Sequence, residues 1–197
     1  MTDIIVNLKP LNLQFLQVRL QGITGLITHA WSEKAKKQML DKQQKKNLKV
    51  KEIRDPEVEY ESGFYHFPGG GYGFPSTGIK GCLIGMAHKD YGVEKTLVRK
   101  AIYIDGEPDK NGMQLVKING EPKMREDMVV IGMGSSDLRY RPEFMPWYMD
   151  ISIKFNADLI TPDSIINLLN LAGFGIGLGE WRPEKSGQSG MFEVANS

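Results

Sequence analysis

Residues 71–89 read GYGFPSTGIKGCLIGMAHK, a glycine-rich turn running into a helix that carries a lysine, and such a turn can hold phosphate on free helix N–H groups. A nucleoside-triphosphate loop needs G-x-x-x-x-G-K-[ST], because the lysine must reach the terminal phosphates and the hydroxyl must hold magnesium. Gly73 and Gly78 have that separation, but Ile79 stands where the lysine belongs and Gly81 where the hydroxyl belongs. No hydrophobic strand leads into the turn either. A second segment, GFGIGLGEWRPEKSGQSG, alternates Gly173, Gly175, Gly177 and Gly179 with Phe174, Ile176 and Leu178. In extended chain this puts bare backbone on one face, so that another backbone can come close. A dinucleotide fingerprint does not fit, since it needs a strand before the glycines and a helix after them. The third segment, SSDLRYRPEFMPWYMD, interleaves Arg139, Tyr140 and Arg141 with Phe144, Trp147 and Tyr148. Cations on phosphates and rings beneath bases suit a single strand. Equally, Tyr148 belongs to a core, with Pro142 and Pro146 in a loop that anchors it. His29, His66 and His88 share no spacing, and with the scattered carboxylates they make no metal motif; no metal or cofactor is expected.

The elements that must position these residues can be read from periodicity. LQFLQVRLQG sets Leu13, Phe15 with Leu16, Val18 and Leu20 against polar neighbours, a half-buried first strand with a possible bulge. SEKAKKQMLDKQQKKN follows a Ser32 cap as a helix with lysines nearly all round it, Lys34, Lys36, Lys37, Lys42, Lys45 and Lys46, and with only Ala35, Met39 and Leu40 apolar. KEIRDPEVEYES then reverses the sign with Glu52, Asp55, Glu57, Glu59 and Glu61. STGIKGCLIGMAHKDYG reads as a short helix capped by Ser76 or Thr77, with Ile79, Leu83, Ile84 and Met86 inward. RKAIYIDG is a strand, and MQLVKINGEPKMREDMVVIGMG is hairpin material with turns at NGEP and GMGSSD. WYMDISIKFNADLI alternates cleanly as a core strand. TPDSIINLLNLAGF is the clearest helix, capped by Thr161 with Pro162 at its first position and ending at Gly173. SGMFEVAN is a last short strand.

Without the excursions the order is β, α, β, β, α, β, the ferredoxin-like (RRM-like) split βαβ arrangement of the α+β class. One domain over residues 1–197 is expected, with a charged insertion at 32–66 and a hairpin and loop insertion at 107–146. The formal net charge is +1 and the pI about 7.8, so no global basic field marks a nucleic-acid binder and local clusters must do so. The single cysteine, Cys82, excludes an internal disulfide and fits a reducing cytoplasm. No apolar run approaches a membrane span and the N-terminus has no basic start, so a cytoplasmic protein without membrane contact is expected.

A split βαβ chain with FPSTGIKG, Phe74 to Gly81, at a helix start and a glycine-rich loop between its last helix and last strand resembles the RAMP superfamily of CRISPR-associated proteins. The likeness is to the backbone subunits that polymerise along guide RNA, whose motif I-P-G-S-S-L-K-G opens a helix facing the RNA backbone. The family's glycine loop looks like Gly173 to Gly190, with Trp181, Arg182 and Lys185 in its polar part, although Glu180 and Glu184 dilute its charge. The chain is short for such a subunit, which makes a stand-alone viral or mobile-element relative as good a match. The resemblance implies single-stranded nucleic-acid binding, RNA ahead of DNA, with self-association along the strand and CRISPR-type proteins as further candidate partners. Ser76, Thr77, the helix N–H groups and Lys80 would then receive a phosphodiester; otherwise the hydroxyls simply cap the helix and Lys80 is solvated. Lys34, Lys36, Lys37, Trp31, Arg139, Arg141, Arg182 and Lys185 complete the expected surface. An enzyme is not expected. The resemblance leaves two alternatives: a metal-independent endoribonuclease with His29 as base, because RAMP-type nucleases place catalytic groups near this loop, and a protein-interaction mimic that occupies a CRISPR complex in place of a true subunit.

Overall fold

The computed structural model describes residues 9–31, 33–44, 54–131 and 134–195. Along the chain these form β1 (Leu13–Gly22), β2 (Leu26–Ile27), α1 (Glu33–Gln43), α2 (Pro56–Ser62), β3 (Tyr65–His66), β4 (Tyr72–Pro75), α3 (Ser76–Met86) and α4 (Lys95–Ala101). They continue with β5 (Ile102–Ile104), β6 (Glu107–Pro108), β7 (Gln114–Ile118), β8 (Pro122–Ile131), β9 (Ser135–Phe144), β10 (Tyr148–Asn156), α5 (Pro162–Gly175) and β11 (Phe192–Ala195). Ser32, Lys45, Lys46 and Glu52 lie outside the described residues, as do the side chains of Lys34, Ala35 and Lys42.

The described residues make an α+β arrangement with three antiparallel sheets. The central sheet has the order β11-β1-β10-β5. The β1–β10 ladder runs unbroken from Leu13↔Asn156 to Gln21↔Tyr148, without the bulge. With period two kept throughout, Leu16, Val18 and Leu20 face inward, whereas Leu13 and Phe15 stay on the outer face, Phe15 63% exposed. Inside, Leu20, Met149, Ile151, Ile153 and Phe155 join Ile79 and Leu83 of α3 and Ile165, Leu168, Leu169 and Ala172 of α5 in one core. The clear helix begins as expected, the Thr161 hydroxyl accepting from Ser164 N at 3.2 Å, but it runs on to Gly175. The glycine run is therefore not extended: Gly173 and Gly175 are helical.

The second sheet, β2-β9-β8, is built on the β8–β9 hairpin. Here the loop expected around Pro142 is strand instead. Pro142 gives its carbonyl to Thr28 N, so its missing N–H falls on the same side, past the end of the two-residue β2, and no bond to β8 is lost. The helix α2 packs on β9; Asp55 caps it, accepting from Glu57 N at 3.0 Å, with Pro56 following. The third sheet is β3-β4-β7-β6. The NGEP segment carries the chain from this sheet to the hairpin rather than turning β7 onto β8.

Candidate functional site

The sequence's two glycine segments meet in one cleft of about 390 Å³. Its walls are the end of β4 (Phe74, Pro75) and the first turns of α3 (Thr77, Gly78, Gly81, Cys82), the residues after β2 (Thr28, His29), Tyr65, and the loop after α5 (Ile176 to Glu180, Arg182, Glu184). His29 is held from both sides. Thr28 is buried and donates its hydroxyl to Gly63 O at 3.1 Å, while Ala30 N donates to the same carbonyl at 3.0 Å.

The loop reaches His29 because of a glycine. Gly179 has φ +74°, and a Cβ there would stand 2.3 Å from Ile27 O. Without one, Glu180 N donates to that carbonyl at 2.9 Å and the loop lies along β2. Glu180 Oε1 then sits 3.7 Å from His29 Nδ1. The His29 imidazole, opposed by partial burial and helped by the nearby Arg141, holds the Glu180 carboxyl below the usual carboxylate range. Burial pushes the Cys82 thiol up to about 12, so it is no nucleophile at neutral pH.

The start of α3 is open. The position before it is Pro75 and no side chain caps it, a correction to the Ser76 or Thr77 cap. Thr77 is exposed in the cleft, whereas Ser76 is buried and outside it. Uncapped first-turn N–H groups with a threonine hydroxyl beside them can bind an anion. Gly81 is exposed on the same wall, with open space where a Cβ would stand.

Several expected contact residues are engaged elsewhere. The Arg182 guanidinium closes on its own loop, giving Nε and Nη2 to Glu184 Oε2 at 3.0 and 2.7 Å and Nη1 to Gly179 O at 2.9 Å. Arg141 is only 4% exposed, its Nη1 3.6 Å from Asp127 Oδ2, which takes it out of reach of a ligand. Arg139 lies beside Asp137 on the hairpin, its Nε 3.8 Å away. Lys80 turns away from the cleft, donating Nζ to Arg99 O at 3.0 Å. Trp31 and Lys185 are exposed, as are Lys36 and Lys37 on α1, none of them in the cleft wall. Tyr65 and Thr28, which do line it, carry no signal in their local sequence and arrive only through strand pairing. Among the described residues no group of three or more His, Cys, Asp and Glu could hold a metal ion, and no helix is long and apolar enough to cross a membrane.

Fold and site together define an α+β protein with a cleft that joins an uncapped helix start to a glycine-rich loop. No family model matches the chain, and no curated protein matches it. Among solved structures, the crystal structure of Cmr6 from Pyrococcus furiosus is similar over 94% of this chain and 99% of that one, at 7% sequence identity and a TM-score of 0.46. A likeness that low carries no residue role from one chain to the other.

Proposed function

We propose that the chain binds single-stranded nucleic acid, RNA ahead of DNA, without cleaving it, in the cleft between α3 and the glycine loop, and that copies associate along the strand. One observation carries this reading: two glycine segments far apart in sequence form one cleft whose α3 wall offers free N–H groups, the Thr77 hydroxyl and the bare surface of Gly81. A phosphodiester can approach such a wall closely. The preference for RNA and the association of copies rest on the resemblance of FPSTGIKG and the glycine loop to RAMP backbone subunits. The ferredoxin-like reading is supported by the antiparallel order β11-β1-β10-β5, with α3 between β1 and β5 in the chain and α5 between β10 and β11. Fluorescence anisotropy of labelled single-stranded RNA, single-stranded DNA and duplex tests it. Single strands are expected to bind, RNA tightest; absence of binding to every probe sinks the reading.

A second reading has its own observation. His29 lies in the cleft with its Nδ1 facing Glu180, and a carboxylate that orients an imidazole can prepare it as a base for attack by a 2′-hydroxyl. Cleavage of RNA by the wild type that disappears in His29→Ala, with binding retained, would replace the first reading by this one.

A further inference from the structure

A separate groove of about 500 Å³ lies along the free edge of β5, where Lys80 of α3, Arg99 and Lys100 of α4 and Lys154 of β10 converge around Tyr103. Among the described residues no carboxylate lines it. This contrasts with the rest of the molecule, in which Arg19, Arg54, Arg125, Arg139, Arg141 and Arg182 each sit beside an Asp or Glu. Among the described residues Arg99 is the arginine without an ion pair. Arg99 and Lys100 complement the C-terminal dipole of α4 and Lys80 donates to the Arg99 carbonyl, but these contacts bring no counter-charge to the four cations. Like charges drawn together without a counter-charge repel, and an anion in their midst relieves this.

The rings beside the cations narrow the kind of anion. Tyr103 pairs with Lys154 and Lys154 with Phe15, so one row across β5, β10 and β1 reads tyrosine, lysine, phenylalanine on the outer face of the central sheet. Tyr103 is 50% and Phe15 63% exposed, and Lys154 Nζ lies 5.6 Å from the centre of the Phe15 ring. Exposed rings at the margin of a cationic groove stack unpaired bases while the cations take the phosphates, a combination that a lone phosphate group does not need.

The geometry points to the β5-edge groove as a second single-strand site, taking phosphodiesters on Lys80, Arg99, Lys100 and Lys154 and bases on Tyr103 and Phe15. It goes beyond the reading of the α3 cleft, because it lines a separate groove and, apart from Lys80, uses residues that neither glycine motif contains. A strand bound there meets α3 through Lys80, on the helix whose Thr77 lines the cleft.

The test is photo-crosslinking of a 4-thiouridine-substituted single-stranded RNA to the full chain, with the attached peptides mapped by mass spectrometry. Anisotropy titrations of the same RNA with Arg99→Glu/Lys100→Glu and with Tyr103→Ala accompany it. Crosslinks on Tyr103 or Phe15 are expected, with affinity lowered about ten-fold or more by the charge reversal and several-fold by loss of the ring. The substituted residues are exposed, and circular dichroism checks that each variant folds. Crosslinks on Tyr65 alone, with Arg99→Glu/Lys100→Glu binding as wild type, overturn the groove and leave the cleft. Crosslinks on Tyr103 or Phe15 with none beside the cleft sustain the groove and defeat the cleft. Equal competition by inorganic polyphosphate, with Tyr103→Ala unchanged, reduces the groove to a general anion surface and also overturns the proposal.

Discussion

Gly81 carries a conformational cost of about 0.5–1 kcal/mol relative to alanine inside a helix, and no neighbour fills the space its missing Cβ leaves. Packing thus gives no reason for a glycine there, whereas close approach of a ligand does. Gly81→Ala is expected to raise stability by about 0.5–1 kcal/mol in chemical denaturation and to weaken single-strand binding. A variant that is more stable and binds unchanged would detach this wall from the ligand. Gly78 differs, since its Cβ would meet the Phe74 ring at 2.8 Å, so packing alone accounts for it. Glu180 makes a prediction in pH. Its carboxyl is depressed in the folded chain, so the stabilisation it contributes is complete above the ordinary glutamate pKa and is lost as pH falls through the lower folded value. Thermal melts over the acid range should show a shallower fall in stability for Glu180→Gln than for wild type; parallel curves would mean that the 3.7 Å approach to His29 contributes nothing.

Among the elements, α5 was legible because Thr161, Pro162 and an apolar face at helical spacing agree with one another. The helix α2 escaped notice although Asp55-Pro56 is a start signal, because the residues behind it are acidic and none is buried, so no apolar period follows the cap. The strand β9 was hidden by Pro142, which is read as a breaker unless one knows that its N–H would point past a two-residue strand. The glycine run was legible as a place of close approach and illegible in shape. A Cβ on Gly173 would stand 2.0 Å from Phe192 O, so the close approach is that of the helix α5 to the strand β11. Gly179→Ala places a side chain at positive φ against a backbone carbonyl that cannot move aside, and is expected to destabilise by about 2–3 kcal/mol, read as a lowered midpoint in urea. On the hairpin, the Arg141 Nε and Nη1 atoms and Asp127 Oδ2 are buried without hydrogen-bond partners, a pair held by charge alone. Arg141→Met should cost about 3 kcal/mol by leaving Asp127 short of a counter-charge, softened by Arg125, whose Nε lies 2.7 Å from Asp127 Oδ1. The double variant Arg141→Met/Asp127→Leu should recover most of that loss, and a double variant as unstable as the single one would show that the pair shapes the hairpin in some other way.

Over the whole molecule, a formal charge of +1 gives little long-range attraction for a polyanion, and six of the seven arginines are matched by carboxylates. Binding must therefore come from short-range contacts, through N–H and hydroxyl groups in the α3 cleft and through charge where cations stand unmatched. The β5-edge groove supplies four of them, Lys80, Arg99, Lys100 and Lys154. Each phosphate neutralised on a single strand contributes about 0.7 to the slope of log affinity against log salt, so the groove alone predicts a slope of roughly −3. Reversing Arg99 and Lys100 removes two of the four cations and should bring the slope to about half of that or less. A wild-type slope much steeper than −3 would bring in the exposed lysines of α1, among them Lys37, and would mean that the strand runs beyond the groove. A slope near zero would mean that no phosphate is neutralised anywhere on the chain. The even balance of charge would then describe the surface as well as the total, and the β5-edge groove would fail as a phosphate site.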